Sequence, residues 1–383
     1  MIKIFNDVRV LDLSRYISGP SCCRILADMG AEVIKVEKAG HGDEGRHLGP
    51  FYKETSLYFP AYNRNKKSVT VDFRSDKGKE LLRRLIEKSD VIVENFKAGT
   101  MAKMGFSFEE IQKINPATIL ASITGFGQYG PDHKRPAYDQ IVSYRAHLYS
   151  NPSEGEFHLG PDLMSDTIMG MNAATAIMAA LYDRKTTGKG QWLDCCMLTS
   201  SVSSWPIALA DFAMNGDRGP YLIDAPNGIF KTKDGYVQLT SGPQPMFMRL
   251  RELIEDPIIQ DEKYIDNFTR IRDSELLKSR VALWMQERTC SEVDEIMNQN
   301  GITCGKVCTW QDVLDDRQLK CRDDIIQFPV KGIGTVPYAK FPVQFSGHEY
   351  IEDTPVPELG ENNMEILTSL LGMTPEEVEE YTK

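Results

Sequence analysis

The segment that decides the fold begins with Val8-Arg-Val-Leu-Asp-Leu13, an apolar run rich in branched residues that predicts a buried strand. A loop follows, and Pro20 suits the first turn of a helix because its missing N–H needs no partner there. The helix is predicted over 21–29 and ends at Gly30, and 31–37 is the next strand. Strand, helix and strand within thirty residues form a βαβ unit, which predicts a parallel sheet.

The same alternation continues along the first half of the chain. Strands are predicted at 67–72, 90–94 and 118–123, and helices at 76–88 and 108–114. We therefore predict an α/β fold with a doubly wound, Rossmann-like large domain. Its ligand should lie outside the carboxyl ends of the strands.

The second half predicts a smaller α+β domain, since 383 residues exceed one ordinary core. A loop is predicted at 220–228, then a hairpin with Asp-Gly as its turn at 228–239, then helices to about 300. A C-terminal helix at 362–371 should dock on the large domain. The predicted division is a large domain over 1–200 completed by 330–383, a small domain over 220–325, and linkers at 201–219 and 326–340.

Composition narrows the classes of function. A formal net charge of −11 argues against a nucleic-acid or membrane partner. No apolar run approaches the ~18–20 residues of a membrane span, and the N-terminus lacks a secretory apolar region. The eight cysteines lack metal-ligand spacing and are interpreted as buried or semi-buried thiols. We expect a cytoplasmic protein without a metal.

Asp166 is the candidate nucleophile. It follows Gly160-Pro-Asp-Leu-Met-Ser165 at the predicted start of a helix of small residues. A helix start favours negative charge, so the carboxylate is expected to stay ionised, and an ionised carboxylate can attack a substrate. The alternative is that Asp166 or Ser165 only caps the helix.

Basic residues near strand ends predict a patch that could hold a nucleotide with several phosphates. Asn95 and Phe96 follow a strand and add an amide and an aromatic face, which suit adenine, although Phe96 could equally pack in a core. Glu37 could suggest a nicotinamide site, but the first loop lacks Gly-x-Gly-x-x-Gly. The basic residues are Arg15, Lys38, Arg64, Lys66, Lys67, Arg74, Lys97 and Lys103.

An ordered series of short motifs spans nearly the whole chain. These motifs are Val10-Leu-Asp-Leu-Ser-Arg15, Gly19-Pro20, Leu26-Ala-Asp-Met-Gly-Ala-Glu-Val-Ile-Lys-Val-Glu37, Asn65-Lys-Lys-Ser68, Asp90-Val-Ile-Val-Glu-Asn-Phe96, Met104-Gly105, Gly125-Phe-Gly-Gln-Tyr-Gly-Pro131, Thr187-Gly-Lys-Gly-Gln191, Leu359-Gly-Glu361, Ile366-Leu367 and Gly372. In them the chain resembles the family III CoA-transferases, the group of formyl-CoA and carnitine CoA-transferases that also includes the α-methylacyl-CoA racemases. The resemblance implies an interlocked homodimer that takes acyl-CoA and a small carboxylic acid as substrates and has no tightly bound cofactor.

The resemblance also implies a mechanism and a set of site residues. Asp166 would form a mixed anhydride with the acyl group and then a thioester with CoA. Tyr58 and Tyr138 would lie near the reacting group, and Gly242 would belong to a shielding loop at 241–245. The implied CoA contacts are Arg15, Tyr16, Ser18, Lys38, Val71, Arg74, Asn95, Phe96 and Lys103.

Two other functions stay open at this point. A racemase of the same fold would need a His base, but the matching triplet here is Ala137-Tyr138-Asp139, and tyrosine is a poor base at neutral pH. A non-catalytic CoA-binding paralogue is the other alternative. Ile17 replaces a glutamine of the formyl-CoA transferases, so an acid other than oxalate is expected, with a monocarboxylate slightly favoured.

Overall fold

The computed structural model describes residues 1–148, 163–216 and 223–382, and the chain divides into two compact units. The larger unit comprises Met1–Pro206 and Asp323–Lys383, and the smaller comprises Ile207–Arg322. The predicted domain limits stay a prediction. Residues 160–162, quoted before Asp166, and 220–222 of the predicted loop lie outside the described residues.

A parallel sheet forms the centre of the larger unit. Its order is β5-β2-β1-β6-β7-β8, and every neighbouring pair is parallel. The first eight strands are β1 (Arg9–Asp12), β2 (Glu32–Lys38), β3 (Phe51–Tyr52), β4 (Thr55–Ser56), β5 (Lys66–Val71), β6 (Val91–Glu94), β7 (Ile119–Thr124) and β8 (Trp192–Cys196). The predicted α/β fold with a parallel sheet is confirmed. The strand order reverses between β1 and β6, which is where such sheets bind ligands.

The described residues of Met1–Pro206 in the larger unit form eight α-helices, and several of them pack on the two faces of the sheet. They are α1 (Ser18–Asp28), α2 (Tyr58–Asn63), α3 (Asp76–Glu87), α4 (Thr100–Lys103), α5 (Phe108–Ile114), α6 (Asp139–Arg145), α7 (Met164–Thr187) and α8 (Met197–Ser203). Successive strand side chains point to opposite faces. Val10 therefore packs in one apolar cluster with residues of α1 and α7, while Leu11 packs in another with residues of α3 and α5.

Helices α1 and α7 approach closely because Gly170 has no side chain. A Cβ there would lie 2.9 Å from the Cβ of Ser21 and 3.1 Å from the carbonyl oxygen of Ser18. Any larger residue would push the helices apart, since packed interiors leave no such room. The first turns of the two helices are thereby held side by side.

The smaller unit contains a three-stranded antiparallel sheet of order β11-β10-β9. Its strands are β9 (Asn227–Lys231), β10 (Tyr236–Thr240) and β11 (Thr303–Lys306). Its helices are α9 (Pro206–Asn215), which begins in the larger unit, α10 (Gln244–Ile254), α11 (Asn267–Arg272), α12 (Ser274–Gln286), α13 (Cys290–Gln299), α14 (Trp310–Asp315) and α15 (Arg317–Arg322). The hairpin predicted around Asp234-Gly235 is present as β9 and β10.

The chain returns to the larger unit through an antiparallel pair, β12 (Ile325–Val330) and β13 (Gly334–Ala339), and ends in α16 (Asn363–Leu371) and α17 (Pro375–Thr382). Helix α16 docks against the edge strand β5, as predicted. The side-chain oxygens of Asn362 and Asn363 accept the N–H groups of Ser68 and Thr70 at 2.9 and 2.8 Å. These contacts protect an otherwise open sheet edge.

The expectations drawn from composition concerned the cysteines and the presence of a membrane span or a metal site. All eight cysteines are free, but Cys308 and Cys321 are exposed, so the interpretation of every cysteine as buried or semi-buried is wrong. Cys321 lies on α15, which buries none of its residues. Among the residues that the structure describes, no helix combines the length and apolar character needed to cross a membrane, and no cluster of side chains could hold a metal ion.

Candidate active site

The loop that follows β1 is held by hydrogen bonds from two neighbouring segments. Asn95 accepts the N–H of Arg15 at 2.8 Å and donates to its carbonyl oxygen at 2.6 Å. Tyr16 has a left-handed backbone with φ of 64°, and its N–H donates to Asp43 at 3.2 Å. A left-handed residue other than glycine costs about 1–3 kcal/mol, so it persists only where its surroundings hold it.

Buried charges lie beneath this loop. The Nζ of Lys66 is 2.8 Å from a carboxylate oxygen of Asp12, and the Nζ of Lys35 is 2.8 Å from Asp43. Lys35 also donates to the carbonyl oxygen of Ser14 at 2.9 Å. Burial alone would raise the pKa of Asp12, but Lys35 and Lys66 outweigh it and lower that pKa to about 2. These fixed charges support the loop from below.

A cavity of about 190 Å³ opens at the carboxyl ends of the strands. Arg15, Lys38 and Arg74 line it together with Phe96, so four of the nine predicted CoA contacts meet there. Acidic side chains share the lining, and Arg15 forms an ion pair of 2.6 Å with Glu44. The Arg15 guanidinium also lies 5.5 Å from the centre of the Phe96 ring.

The other predicted CoA contacts lie around this cavity or apart from it. Val71 is fully buried at the end of β5. Asn95 links the loop to Ser18, whose Oγ lies 3.5 Å from its amide nitrogen. Lys103 is exposed at the end of α4 and does not line the cavity.

The prediction of one basic patch is wrong for several of its members. Arg64 is buried and paired with Asp28, and Lys66 is buried against Asp12. Lys67 pairs with two glutamates. Lys97 is exposed and outside the cavity lining. The pattern of basic residues could not show this, because their acidic partners lie far away in the sequence.

Asp166 lies in the first turn of α7, beside the first residue of α1. Its backbone N–H donates to Asp139 at 2.9 Å, and Ser18 hydrogen-bonds its carboxyl group. The residue before α7 is Leu163, whose side chain cannot cap the helix. The hydroxyl of Ser165 is hydrogen-bonded to those of two other serines. The interpretation of Asp166 or Ser165 as a simple helix cap is therefore wrong.

The carboxyl group of Asp166 does not keep an ordinary acidity. Burial raises its pKa most, the nearby Asp139 raises it further, and the hydrogen bond from Ser18 opposes them, with a net pKa of about 7. The expectation that a helix start keeps this aspartate fully ionised is therefore wrong. Desolvation and a neighbouring carboxylate outweigh the helix dipole.

Tyr58 and Tyr62 lie close enough to Asp166 to interact with its charge. Burial, followed by the charge of Asp166, raises the pKa of Tyr58, so its hydroxyl stays protonated and can donate. Burial also raises the pKa of Tyr62. The rings of Tyr16 and Tyr138 meet edge to face at 5.9 Å, and Tyr138 is 66% exposed.

Gly242 lies in the smaller unit, between β10 and α10. Its carbonyl oxygen accepts a hydrogen bond from Arg270 at 2.9 Å. A Cβ at this position would lie 1.7 Å from the Cγ of Asp224, so only glycine fits. Its shielding role stays a prediction.

Sequence reasoning missed three residues of this region as site residues. They are Asp139, Tyr62 and Glu44. Asp139 follows Tyr138 directly, and that neighbourhood was its only signal in the sequence. Tyr62 and Glu44 carry no local signal, because their partners Asp166 and Arg15 are brought to them by the fold.

A family model, curated sequences and solved structures all relate the chain to one family of proteins. The family model described as CoA-transferase family III matches residues 5–363. Succinyl-CoA:glutarate CoA-transferase of Mus musculus is 34% identical over 97% of this chain and 87% of its own length. Formyl-CoA:oxalate CoA-transferase of Rhodopseudomonas palustris is 30% identical over 99% and 96%. The crystal structure of a CAIB/BAIF family protein from Brucella suis superposes with a TM-score of 0.82 and 29% identity, over 97% of this chain and 100% of that one.

Proposed function

The chain belongs to CoA-transferase family III, and we propose that it moves CoA from an acyl-CoA to a small carboxylic acid with Asp166 as the covalent carrier. The observation that supports this best is the position of Asp166. Its carboxyl group is partly buried against Ser18, the first residue of α1, which lies six residues after the end of β1. The loop between β1 and Ser18 carries Ser14 and Arg15 of the cavity lining. The proposed nucleophile on α7 thus lies against the first residue of the helix that follows the cavity-lining loop, and that cavity could take a large anionic substrate.

The cavity is proposed to hold the nucleotide end of CoA. Arg15, Lys38 and Arg74 supply the positive charge that phosphates need, and the Phe96 ring offers a face to adenine. To bind a phosphate, Arg15 must give up its ion pair with Glu44 and pair with the phosphate instead. The remaining proposed contacts to CoA are Tyr16, Ser18, Val71, Asn95 and Lys103. CoA is proposed to act as a substrate and not as a tightly bound cofactor.

The proposed chemistry begins with attack by the Asp166 carboxylate on the carbonyl carbon of the donor thioester. The new C–O bond gives a mixed anhydride, and the C–S bond breaks to release CoA thiolate. The thiolate then attacks the aspartyl carbonyl carbon, which forms aspartyl-CoA and frees the donor acid. The acceptor carboxylate attacks the aspartyl carbonyl carbon of aspartyl-CoA, and the C–S bond breaks to release CoA thiolate and leave a second mixed anhydride. Attack of the thiolate on the acceptor's acyl carbon yields the new acyl-CoA and restores the carboxylate.

The surroundings of Asp166 suit these steps. An anhydride must be kept from water. The burial of Asp166 against α1 keeps water away from the position where the anhydride would form. Each attack places charge on a carbonyl oxygen, which protonated donors stabilise. Tyr58 is a donor of this kind, because its hydroxyl holds its proton. Tyr138 and Gly242 stay proposed members of the site, as does the interlocked homodimer.

The function is tested with a panel of donors and acceptors, with CoA exchange read by mass. The relatives named above act on glutarate and oxalate, and another relative is named for D-citramalate, so dicarboxylic acids belong in the panel. The sequence favours a monocarboxylate, and the same panel decides between the two classes. We expect acyl exchange with at least one acid. Absence of exchange with every pair would contradict the proposal.

One control separates transfer from racemisation. Incubation of an acyl-CoA alone in deuterated water should leave its α-carbon unlabelled, because no base suited to proton abstraction stands at Tyr138. Rapid α-deuteration without an acceptor would favour the racemase function instead.

The rate of transfer is expected to rise with pH around neutrality. Only the carboxylate attacks, and a pKa of about 7 leaves Asp166 about half ionised at that pH. The ratio kcat/KM, which reports the ionisation of the free protein, should therefore fall roughly tenfold for each pH unit below about 6 and level off above about 8. The groups facing Asp166 are Ser18, Tyr58, Tyr62 and Asp139. A flat profile between these limits would contradict the assignment.

A further inference from the structure

A buried carboxylate from α6 holds the first turn of α7. One oxygen of Asp139 accepts the N–H of Asp166 at 2.9 Å, and the other accepts the N–H of Leu163 at 3.2 Å. Asp139 is only 4% exposed. It therefore binds the backbone of the nucleophile itself.

Helix α7 needs this support because its own chain does not provide it. Leu163 precedes the helix with φ of 73° and has no side-chain oxygen to cap it. The first N–H groups of a helix are left without partners unless side chains or ligands accept them. Asp139 does so from a different helix, and its negative charge suits the positive end of the helix dipole.

A chain of buried hydroxyl groups holds Asp139 in turn. The Oγ of Ser143 is 3.3 Å from Asp139 and 2.7 Å from the Oγ of Ser165, which lies 2.8 Å from that of Ser201. An ionised carboxylate can only accept, so each hydroxyl must donate toward Asp139. All three serines are fully buried, and a network of this kind is rigid when every member has a partner.

We propose that Asp139 is the positioning residue of the nucleophile, with Ser143, Ser165 and Ser201 fixing its carboxylate. This proposal rests on the proposed function. Asp139 orients the first turn of α7, so that the Asp166 carboxyl group faces Ser18 and the loop after β1. Its charge also makes Asp166 harder to ionise, and a more basic carboxylate is a better nucleophile once it has lost its proton.

The first test compares Asp139→Asn and Asp139→Ala with Asp132→Asn, a matched change at a more exposed site just before α6. The asparagine keeps an acceptor but loses the charge, so the inflection in kcat/KM should move about one unit to lower pH. The alanine loses the acceptor, and kcat should fall roughly 10²-fold through misplacement of Asp166. The Kd for CoA should stay within about twofold, because Asp139 does not line the cavity. Wild-type kcat and an unmoved inflection in both variants would overturn the proposal.

The second test needs no turnover. Asp166→Asn should raise the melting temperature at pH 8, since it removes a charge that burial and Asp139 disfavour. In an Asp139→Asn background that gain should be smaller by the part that the charge of Asp139 contributes, and an equal gain in both backgrounds would overturn the proposal. Failure of the proposed function would show differently, as continued transfer by Asp166→Asn with the coupling in melting temperature intact.

Discussion

Asp166→Asn is expected to lower CoA transfer by roughly 10⁴-fold or more, as loss of a covalent nucleophile does elsewhere. The amide keeps the size of the side chain but cannot attack a thioester. Binding of CoA should persist, because Asp166 is not among the residues that line the cavity. The measurement is the rate of exchange at pH 8 together with the Kd for CoA by calorimetry.

Asp183→Asn is the matched control for this experiment. Asp183 is an exposed aspartate on the same helix, α7, so its replacement should leave transfer unchanged. The covalent intermediate provides an independent check. Wild-type protein quenched during turnover should carry an acyl or CoA adduct on the peptide that contains Asp166, and the variant should carry none. Substantial turnover by Asp166→Asn, or an adduct on another peptide, would move the nucleophile elsewhere.

Asp12→Ala is expected to lower the free energy of unfolding by about 3–5 kcal/mol. The substitution leaves the ammonium groups of Lys35 and Lys66 buried without the carboxylate that lies between them. The loop after β1 should also loosen, because Lys35 donates to the carbonyl oxygen of Ser14. Denaturant unfolding measures the first effect, and a raised KM for acyl-CoA reports the second.

The contribution of Asp12 should also depend on pH. Its pKa is lowered to about 2 in the folded chain, so its stabilisation is present above the unfolded pKa near 4 and is lost as the pH falls toward 2. A shift of this size corresponds to about 2 kcal/mol. The wild-type and Asp12→Ala curves of stability against pH should therefore approach each other by about 2 kcal/mol toward the acid end. Parallel curves would show that Asp12 does not stabilise the fold through its buried ion pairs.

A surface ion pair provides the control. Lys113 and Glu110 form an exposed pair on α5, and exposed pairs of this kind contribute less than about 1 kcal/mol. Glu110→Ala should therefore unfold almost as the wild type does. A loss equal to that of Asp12→Ala would mean that burial is not the cause.

The sequence alone predicted the elements whose signals are local. The parallel sheet follows from alternating runs such as 8–13 and 31–37, whose periodicity reports burial directly. The hairpin at Asp234-Gly235 follows from its turn residues, and the helix predicted at 362–371 is present as α16. The family follows from the order of its motifs. Asp166 was found as a candidate from its place at a helix start and from that resemblance.

Only the tertiary structure decided which charges face each other. The predicted basic patch lost Arg64, Lys66 and Lys67, because Asp28, Asp12 and two glutamates meet them across the fold. The acidity of Asp166 also depends on burial and on Asp139, 27 residues earlier in the chain. Electrostatic energy depends on distance in space and on exclusion of water, whereas hydrophobic periodicity depends on neighbours along the chain. The sequence therefore determines the sheet and its helices, and the folded contacts determine what the carboxyl groups can do.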